Sequence, residues 1–180
     1  IDIDDASLQA IGPWPWPRAT VADLSQALDR AGVGLKLFDV VFPDARPGDA
    51  QLASALSAPG AAPSVLAQVF ALRGETQLRL GTPAGAWPSL GCQTPATPAQ
   101  GVIANQPILA RNAAAVGHVT PTLDGDGSVR RIAALVCMDG HTYPTLALAG
   151  LSTQAQAVPQ LQPGRYWHEP AWRLTLPGLD

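Results

Sequence analysis

The chain opens with IDIDDASL at residues 1–8 and continues with GPWPWPR at residues 12–18, and these two stretches are the most informative part of the sequence. We predict a short apolar strand over residues 1–4 that ends at the first carboxylates. Each proline fixes its own φ and pushes the preceding residue towards extended geometry, so Trp14 and Trp16 stand on a stiff backbone. Two fixed indole rings beside carboxylates and an arginine indicate either a binding site or a packed corner of the fold.

Helix and strand patterns then alternate along the first 70 residues. Thr20 to Asp23 resembles a capping box, and apolar residues at helical spacing follow it as far as a glycine stop at Gly32. The apolar run GLKLFDVVF over residues 34–42 is typical of a strand covered on both faces. Asp49 is predicted to cap a second helix, and residues 64–70 form the next strand. This order predicts parallel pairing with crossover helices.

The second half of the chain is less regular. Residues 73–100 are rich in glycine and proline and are predicted to form a long irregular connection. Residues 116–138 predict an antiparallel hairpin, because the Asp-Gly pairs of DGDG supply the positive φ that tight turns need. A helix is predicted over residues 143–151, entered through Pro144, and the last 20 residues predict a partial strand or tail. The predicted fold class is therefore α/β, a layered domain with a mainly parallel central sheet in the N-terminal half and an antiparallel hairpin extension in the second half.

Composition and charge exclude some classes of function. The chain has 180 residues, which fits one domain, and its formal net charge is −3. With a single lysine and dispersed arginines, a nucleic-acid partner is not expected. No run of apolar residues reaches the length of a bilayer span. The chain lacks an initiator methionine and a signal peptide, so we expect it to be a piece of a longer protein.

Asp39 is the first candidate site residue, because it lies inside an apolar predicted strand. A buried carboxylate must be paired, hydrogen-bonded, or placed near the open carboxyl end of its strand, where open parallel sheets bind ligands. Asp4 and Asp5 hold the equivalent place on the first predicted strand, so the three acids converge on one crevice if the two strands are neighbours. The alternative is that Arg18 pairs with these carboxylates as a structural clamp between the first strand and the first helix.

Catalytic and metal motifs are weak in this sequence. Asp2 and Asp4 resemble the paired aspartates of metal-dependent phosphotransferases, but Ser7 comes one position too late and Lys36 opens a strand. The DGDG turn lacks the later Glu of a calcium loop. The histidines are isolated and match no metal spacing, and neither a nucleophile elbow nor a phosphate loop is present; they are His118, His141 and His168. We therefore expect no catalytic site, metal or cofactor.

The two cysteines, Cys92 and Cys137, leave two alternatives open. Neither lies in a CxxC motif, so a zinc site is unsupported. They are either buried thiols or, in an oxidising compartment, a disulfide. Such a disulfide would close a loop of about 45 residues and stabilise the fold by about 4 kcal/mol.

Taken in order, these blocks resemble the second type of CHASE domain, the cyclase- and histidine-kinase-associated extracellular sensory domains. The matching pieces are IDIDDASL, GPWPWPR, the GxxLFDVVFP segment that begins at Gly34, and the DxxLAxAL helix that begins at Asp49. GHVTPTLDGDGSVRR at residues 117–131 and the later TLALA also match. The resemblance covers residues 1–151, which we predict to be the sensory core, with residues 152–180 as an irregular or partial-strand extension of the same domain.

The resemblance implies a sensory module at the periplasmic face of a bacterial inner membrane, held by flanking membrane segments. It would pass a signal to a cytoplasmic histidine kinase, cyclase or protein kinase. An oxidising compartment makes the Cys92–Cys137 disulfide the expected state. The residues that match the family signature are our candidate ligand-binding residues: Asp4, Asp5, Trp14, Trp16, Arg18, Asp39 and Asp49.

Three functional hypotheses follow. The first is a sensor without enzymatic activity that responds to a small molecule or a periplasmic protein, and that could form a homodimer. The second is a structural or dimerising spacer that senses nothing. The third is a metal-dependent phosphohydrolase that uses Asp2 and Asp4.

Overall fold

The computed structural model describes residues 1–72, 78–92, 95–157, 159–164 and 172–177. Within these ranges the helices are α1 (Asp5–Ile11), α2 (Arg18–Arg30), α3 (Asp49–Leu56), α4 (Pro107–Asn112) and α5 (Leu146–Ala155). The strands are β1 (Lys36–Phe38), β2 (Ser64–Leu72), β3 (Arg79–Leu80), β4 (Thr97–Ile103), β5 (Ala115–His118), β6 (Pro121–Leu123), β7 (Val129–Ile132), β8 (Leu135–Met138), β9 (His141–Pro144), β10 (Gln160–Pro163) and β11 (Trp172–Thr175). Residues 165–171 and 178–180 of the predicted partial strand or tail, with His168 among them, lie outside the described residues.

In the part of the chain that the structure describes, a mixed sheet of seven strands forms the centre of the fold. Strand β2 pairs in parallel with β1 and β5 along its first half and antiparallel with β4 along its second half. Strand β4 continues the sheet to β8 and β9, and β3 pairs with β4. Strands β6 and β7 form a separate antiparallel hairpin, as do β10 and β11. The predicted α/β class is confirmed: the central sheet mixes parallel and antiparallel pairs, and separate antiparallel hairpins accompany it. The parallel pairs also include β5 and β8 from the second half of the chain, which pair with β2 and β4.

The alternation of side chains along β2 places helices on both faces of the sheet. Leu66 faces a core that it shares with residues of α2, α3 and α4, whereas Val65 and Ala67 face a second cluster with Leu146 and Ala149 of α5. Phe70 joins a third cluster formed by the distal strands. A strand with this burial on both sides reads as a continuous apolar run, which is why SVLAQVF was recognisable as β2.

The first predicted strand is wrong. Residues 1–4 form no strand, and Asp5–Ile11 is the helix α1. Asp4 caps this helix: its carboxylate accepts a hydrogen bond from the backbone N–H of Ser7 at 2.9 Å, and the Ser7 hydroxyl accepts one from the backbone N–H of Asp4. The alternating IDID sequence is therefore an N-terminal segment without regular structure, and its last residue takes part in a reciprocal helix cap.

Several other boundaries differ from the prediction. Helix α2 begins at Arg18 after Pro17, so Thr20 lies inside the helix and caps nothing, and α3 begins after Gly48 with Asp49 as its first residue. Only residues 36–38 of the long apolar run pair as a strand, which places Asp39 just beyond the carboxyl end of β1. Tyr143 belongs to β9, and α5 begins later, after a Thr145 cap. Apolar runs identify buried segments better than they identify hydrogen-bonded ones.

The predicted disulfide is present. Cys92 lies in the irregular segment before β4, Cys137 lies in β8, and their Cα atoms are 5.3 Å apart. The bond ties a segment without regular structure to the sheet, beside the hydrogen bond from the Thr142 hydroxyl to the Gly91 carbonyl at 2.9 Å.

Because of the buried His118 at the end of β5, we expect the folded domain to lose stability in acid. Its side chain is 1% exposed, packs edge-on to Phe70, and burial lowers its pKa to about 4. The unfolded state, with an ordinary pKa of 6.5, takes up the proton first as the pH falls, so stability is lost between about pH 6.5 and pH 4. We expect the free energy of unfolding to fall by about 2 kcal/mol from pH 7 to pH 5.

Urea titrations at a series of pH values measure this loss. In the His118→Phe variant the fall between pH 7 and pH 5 should largely disappear, whereas His141→Phe, at an exposed histidine, should keep it. An unchanged slope in His118→Phe would show that another group carries the effect.

Candidate functional site

A cleft of about 580 Å³ lies where the N-terminal segment meets the chain that leaves β1. We call it the Trp14 cleft. Its residues come from α1 and the segment before it, the proline-tryptophan stretch, the start of α2, and the chain beyond β1: Ile3, Leu8, Trp14, Pro15, Arg18, Asp39, Val40, Val41, Phe42, Pro43, Asp44 and Arg46. The cleft therefore lies at the carboxyl end of a parallel strand, the region where open sheets bind ligands.

Of the two tryptophans, one is part of a packed corner and the other lines the cleft, so both roles that the sequence left open occur. Trp16 is 5% exposed and belongs to the core, and its Nε1 donates a hydrogen bond to the carbonyl of Gly12 at 2.8 Å. Trp14 is 39% exposed, lines the cleft and meets Trp16 edge-to-face, with 5.6 Å between the ring centroids. Trp16 forms the packed corner, and that corner holds the ring of Trp14 at the cleft.

Arg18 forms a buried clamp, but between different elements from those predicted. Its side chain is 4% exposed, and Nε donates to the carboxylate of Asp49 at 2.8 Å while Nη2 donates to the carbonyl of Asp44 at 3.2 Å. The guanidinium lies 4.5 Å above the centre of the Phe42 ring. The clamp thus joins α2 to α3, and its carboxylate is Asp49 instead of Asp39 or the N-terminal acids.

A glycine makes this clamp possible. Gly48 has a φ of +90°, and a Cβ at this position would lie 3.0 Å from the Cβ of Arg18 and 3.2 Å from the backbone nitrogen of Ala19. Only glycine takes both this backbone conformation and this close approach at no cost. The second oxygen of Asp49 accepts the backbone N–H of Arg46 at 2.9 Å, which fixes the loop at the rim of the cleft.

Asp39 is one of two exposed carboxylates that line the cleft; the other, Asp44, lies 3.8 Å from the guanidinium of Arg46. Asp39 accepts no hydrogen bond and forms no ion pair within the described residues, and it follows directly after β1. The sequence allowed Asp39 to be ion-paired, hydrogen-bonded, or placed at the open carboxyl end of its strand, and the structure shows the last of these. The cleft thus contains, besides an exposed indole ring, a carboxylate that the fold does not use.

Asp4 and Asp5 do not converge with Asp39 at the cleft. Both are exposed, and neither lines the cleft. The hydroxyl and the backbone N–H of Ser7 hold the pKa of the Asp4 carboxyl below its ordinary value, so Asp4 serves as a helix cap. The structure brings together Trp14, Arg18 and Asp39 of the predicted residues and places Trp16 and Asp49 behind them.

Asn105 is a residue of the site that sequence reasoning missed. It is buried just after β4; its Oδ1 accepts the backbone N–H of Phe42 at 2.8 Å, and its Nδ2 donates to the carbonyl of Ala67 in β2 at 2.8 Å. It therefore fastens the chain beyond β1 to the central strand of the sheet. The sequence did contain a signal for Asn105, because it is a polar residue that comes shortly after an apolar strand.

Asn105→Ala is expected to lower the free energy of unfolding by about 2 kcal/mol, because two buried backbone groups lose their partner. Chemical denaturation of the variant measures the loss. Asn112→Ala is the control: its Nδ2 donates to the carbonyl of Ile108 and its Oδ1 accepts the hydroxyl of Ser57, and water can replace both bonds because they are exposed. We therefore expect a smaller loss, of about 0.5 kcal/mol. Equal losses in the two variants would contradict the assigned role of Asn105.

The predicted phosphohydrolase residues do not form a catalytic group. Asp2 and Asp4 are exposed and do not end a strand, and Lys36 donates to Asp29 at 2.7 Å and to Ser25 at 2.9 Å. Within the described ranges, no cluster of three or more His, Cys, Asp or Glu side chains could hold a metal ion. Asp124 and Asp126 pair with Arg130 in the β6–β7 hairpin, which agrees with a turn.

The described fold and cleft define a layered α/β domain with a small-molecule-sized pocket at a strand end. The chain belongs to the CHASE2 family: the family model for the CHASE2 domain matches residues 1–176, which confirms the resemblance. CHASE2 domains are extracellular sensory domains of membrane receptors. Neither the curated proteins nor the solved structures contain a match to this chain. Among the described residues, no helix is both long and apolar enough to cross a membrane.

Proposed function

We propose that this domain senses a small molecule in the Trp14 cleft and passes the signal across a bacterial inner membrane to a cytoplasmic kinase or cyclase. The observation that carries the proposal is the cleft itself, with a free carboxylate and an exposed indole in a domain of a sensory family. We further propose that the domain faces the periplasm, is anchored through flanking membrane segments, and performs no catalysis.

The arrangement of the cleft suggests how binding would change the receptor. Its walls come from α1, α2 and the loop that leads to α3, and the Arg18–Asp49 clamp joins α2 to that loop and to α3. A ligand that contacts several of these elements favours one arrangement of them over another, and the receptor responds to that shift in population. No covalent step is required.

A thermal-shift screen of small metabolites against the domain tests this proposal. We expect a hit to raise the melting temperature, and we expect Trp14→Ala and Asp39→Asn to remove the shift. If no compound moves the melting temperature while a periplasmic protein binds the domain, the small-molecule proposal is wrong. A shift that persists in both variants would place the ligand elsewhere.

A structural or dimerising spacer is the second candidate function, and its support is that Trp16 and the Arg18–Asp49 pair both have a packing role in the fold. Sedimentation of the domain at high concentration tests it. A spacer should form a homodimer, whereas a strictly monomeric state contradicts the spacer and leaves the sensor.

A further inference from the structure

We propose that the ligand of the Trp14 cleft is a small zwitterion, a molecule with one ammonium group and one carboxylate beside a compact aliphatic body. This inference rests on the proposed function and names the class of ligand for the same cleft. It follows from the charges that line the cleft, from the donors that Arg18 leaves unused, and from the free carboxylate of Asp39.

The charged groups of the lining are two arginines, each with an acidic partner, and one carboxylate without a partner. Arg18 pairs with Asp49 at 2.8 Å and Arg46 lies 3.8 Å from Asp44, which leaves Asp39 over. Asp39 attracts an ammonium group, and a carboxylate can bind only to the donors that Arg18 leaves unused, so a zwitterion is the ligand that uses both. Charge complementarity of this kind selects a ligand more strongly than it raises affinity.

Arg18 is the group that would receive the carboxylate. Its Nε and Nη2 are engaged by Asp49 and Asp44, but Nη1 donates no hydrogen bond to any described residue. A guanidinium has five N–H donors in a fixed plane, and a carboxylate accepts two of them side by side. Because the clamp already holds this guanidinium in place at the wall of the cleft, a ligand does not have to order it.

Asp39 and Trp14 would receive the ammonium group. The carboxylate of Asp39 has no partner within the described chain, and the ring of Trp14 lines the same cleft. An ammonium group is attracted both by a carboxylate and by the face of an indole. The apolar side chains of Ile3, Leu8 and Val40 complete the lining and fit an aliphatic body.

A set of matched probes tests the class of ligand. The zwitterions are the standard aliphatic amino acids, 4-aminobutanoate and 6-aminohexanoate, which differ in the separation of the two charges. For leucine, leucinamide removes the carboxylate charge and N-acetyl-leucine removes the ammonium charge, and pH 6.5 keeps the free amine protonated. Binding is followed by the indole N–H resonance of Trp14, assigned with a Trp14→Phe variant.

We expect at least one zwitterion to shift this resonance saturably, and its singly charged derivatives to bind about tenfold more weakly. Asp39→Asn should weaken the zwitterion and its amide about tenfold and should not weaken the N-acetyl derivative, because an anion loses only a repulsion. Asp23→Asn is the control, because Asp23 is an exposed carboxylate on α2 outside the cleft. It should change none of the three affinities.

The outcomes separate this inference from the proposed function. If singly charged or neutral compounds shift the Trp14 resonance as well as zwitterions do, the ligand class is wrong and the cleft remains a binding site. An Asp39→Asn variant that binds zwitterions normally overturns the inference in the same way. If no compound of any class moves the Trp14 resonance while metabolites stabilise the domain elsewhere, the cleft itself is wrong and both proposals fail.

Discussion

Arg18→Met is expected to lower the free energy of unfolding by about 3 kcal/mol, because it leaves the carboxylate of Asp49 without its buried partner. Arg18 is almost fully buried and Asp49 is 13% exposed, so water can only partly replace the guanidinium. Methionine keeps the length and apolar contact of the stem over Phe42, which limits the change to the loss of charge and hydrogen bonds. Urea denaturation with two spectroscopic probes measures the difference.

Two further variants make this result specific. Arg30→Met changes an exposed arginine of the same helix and should alter stability by no more than about 0.5 kcal/mol. The double variant Arg18→Met/Asp49→Asn should lose less than the sum of its two single variants, because the unpaired charge is gone. Strict additivity would show that the two residues do not depend on each other.

Removal of the disulfide has an expected effect of similar size. Cys92→Ala/Cys137→Ala should lower the free energy of unfolding by about 4 kcal/mol, because the unfolded chain regains the freedom of a loop with a separation of 45 residues. Alanine avoids placing a hydroxyl in the half-buried position of Cys137. The native sheet should persist, since Thr142 still bonds to Gly91 and Trp87.

A reduction experiment gives the matched control for the disulfide. Treatment with a reductant should destabilise the native protein by the same amount and leave the double alanine variant unchanged. Titration of the unreduced, denatured protein should find no free thiol. Two reactive thiols, or a reductant effect that persists in the variant, would contradict a structural disulfide in the purified domain.

Local features of the sequence were enough to predict several elements. The central strand β2 follows from its continuous apolar run, and the hairpin turn at residues 124–127 follows from residues that tolerate positive φ. Helix α1 was missed, because IDID resembles a strand when read alone. The spacing of Asp4 and Ser7 is that of a reciprocal helix cap, and this signal was present in the sequence. A strand, in contrast, needs a neighbouring strand to pair with, and residues 1–4 have none.

The candidate site was predicted in part, and the pattern of success has a physical cause. Trp14 and Asp39 were recognised because each is an unusual residue for its local context. The separate role of Trp16 and the contribution of Asn105 depend on which surfaces pack together, and no local pattern reports this. Asn105 acts on Phe42, 63 residues away in the chain.

The sequence by itself determined the family, the alternation of helices and strands, and the stiff backbone under the two tryptophans, because these follow from properties of neighbouring residues. Only the tertiary structure decided that Arg18 pairs with Asp49, 31 residues away, and that Asp39 is left free at the cleft. The reason is that an ion pair depends on distance and burial, and the folded chain sets both. The opening stretch thus identifies a sensory domain, and its packing exposes one tryptophan beside one free carboxylate.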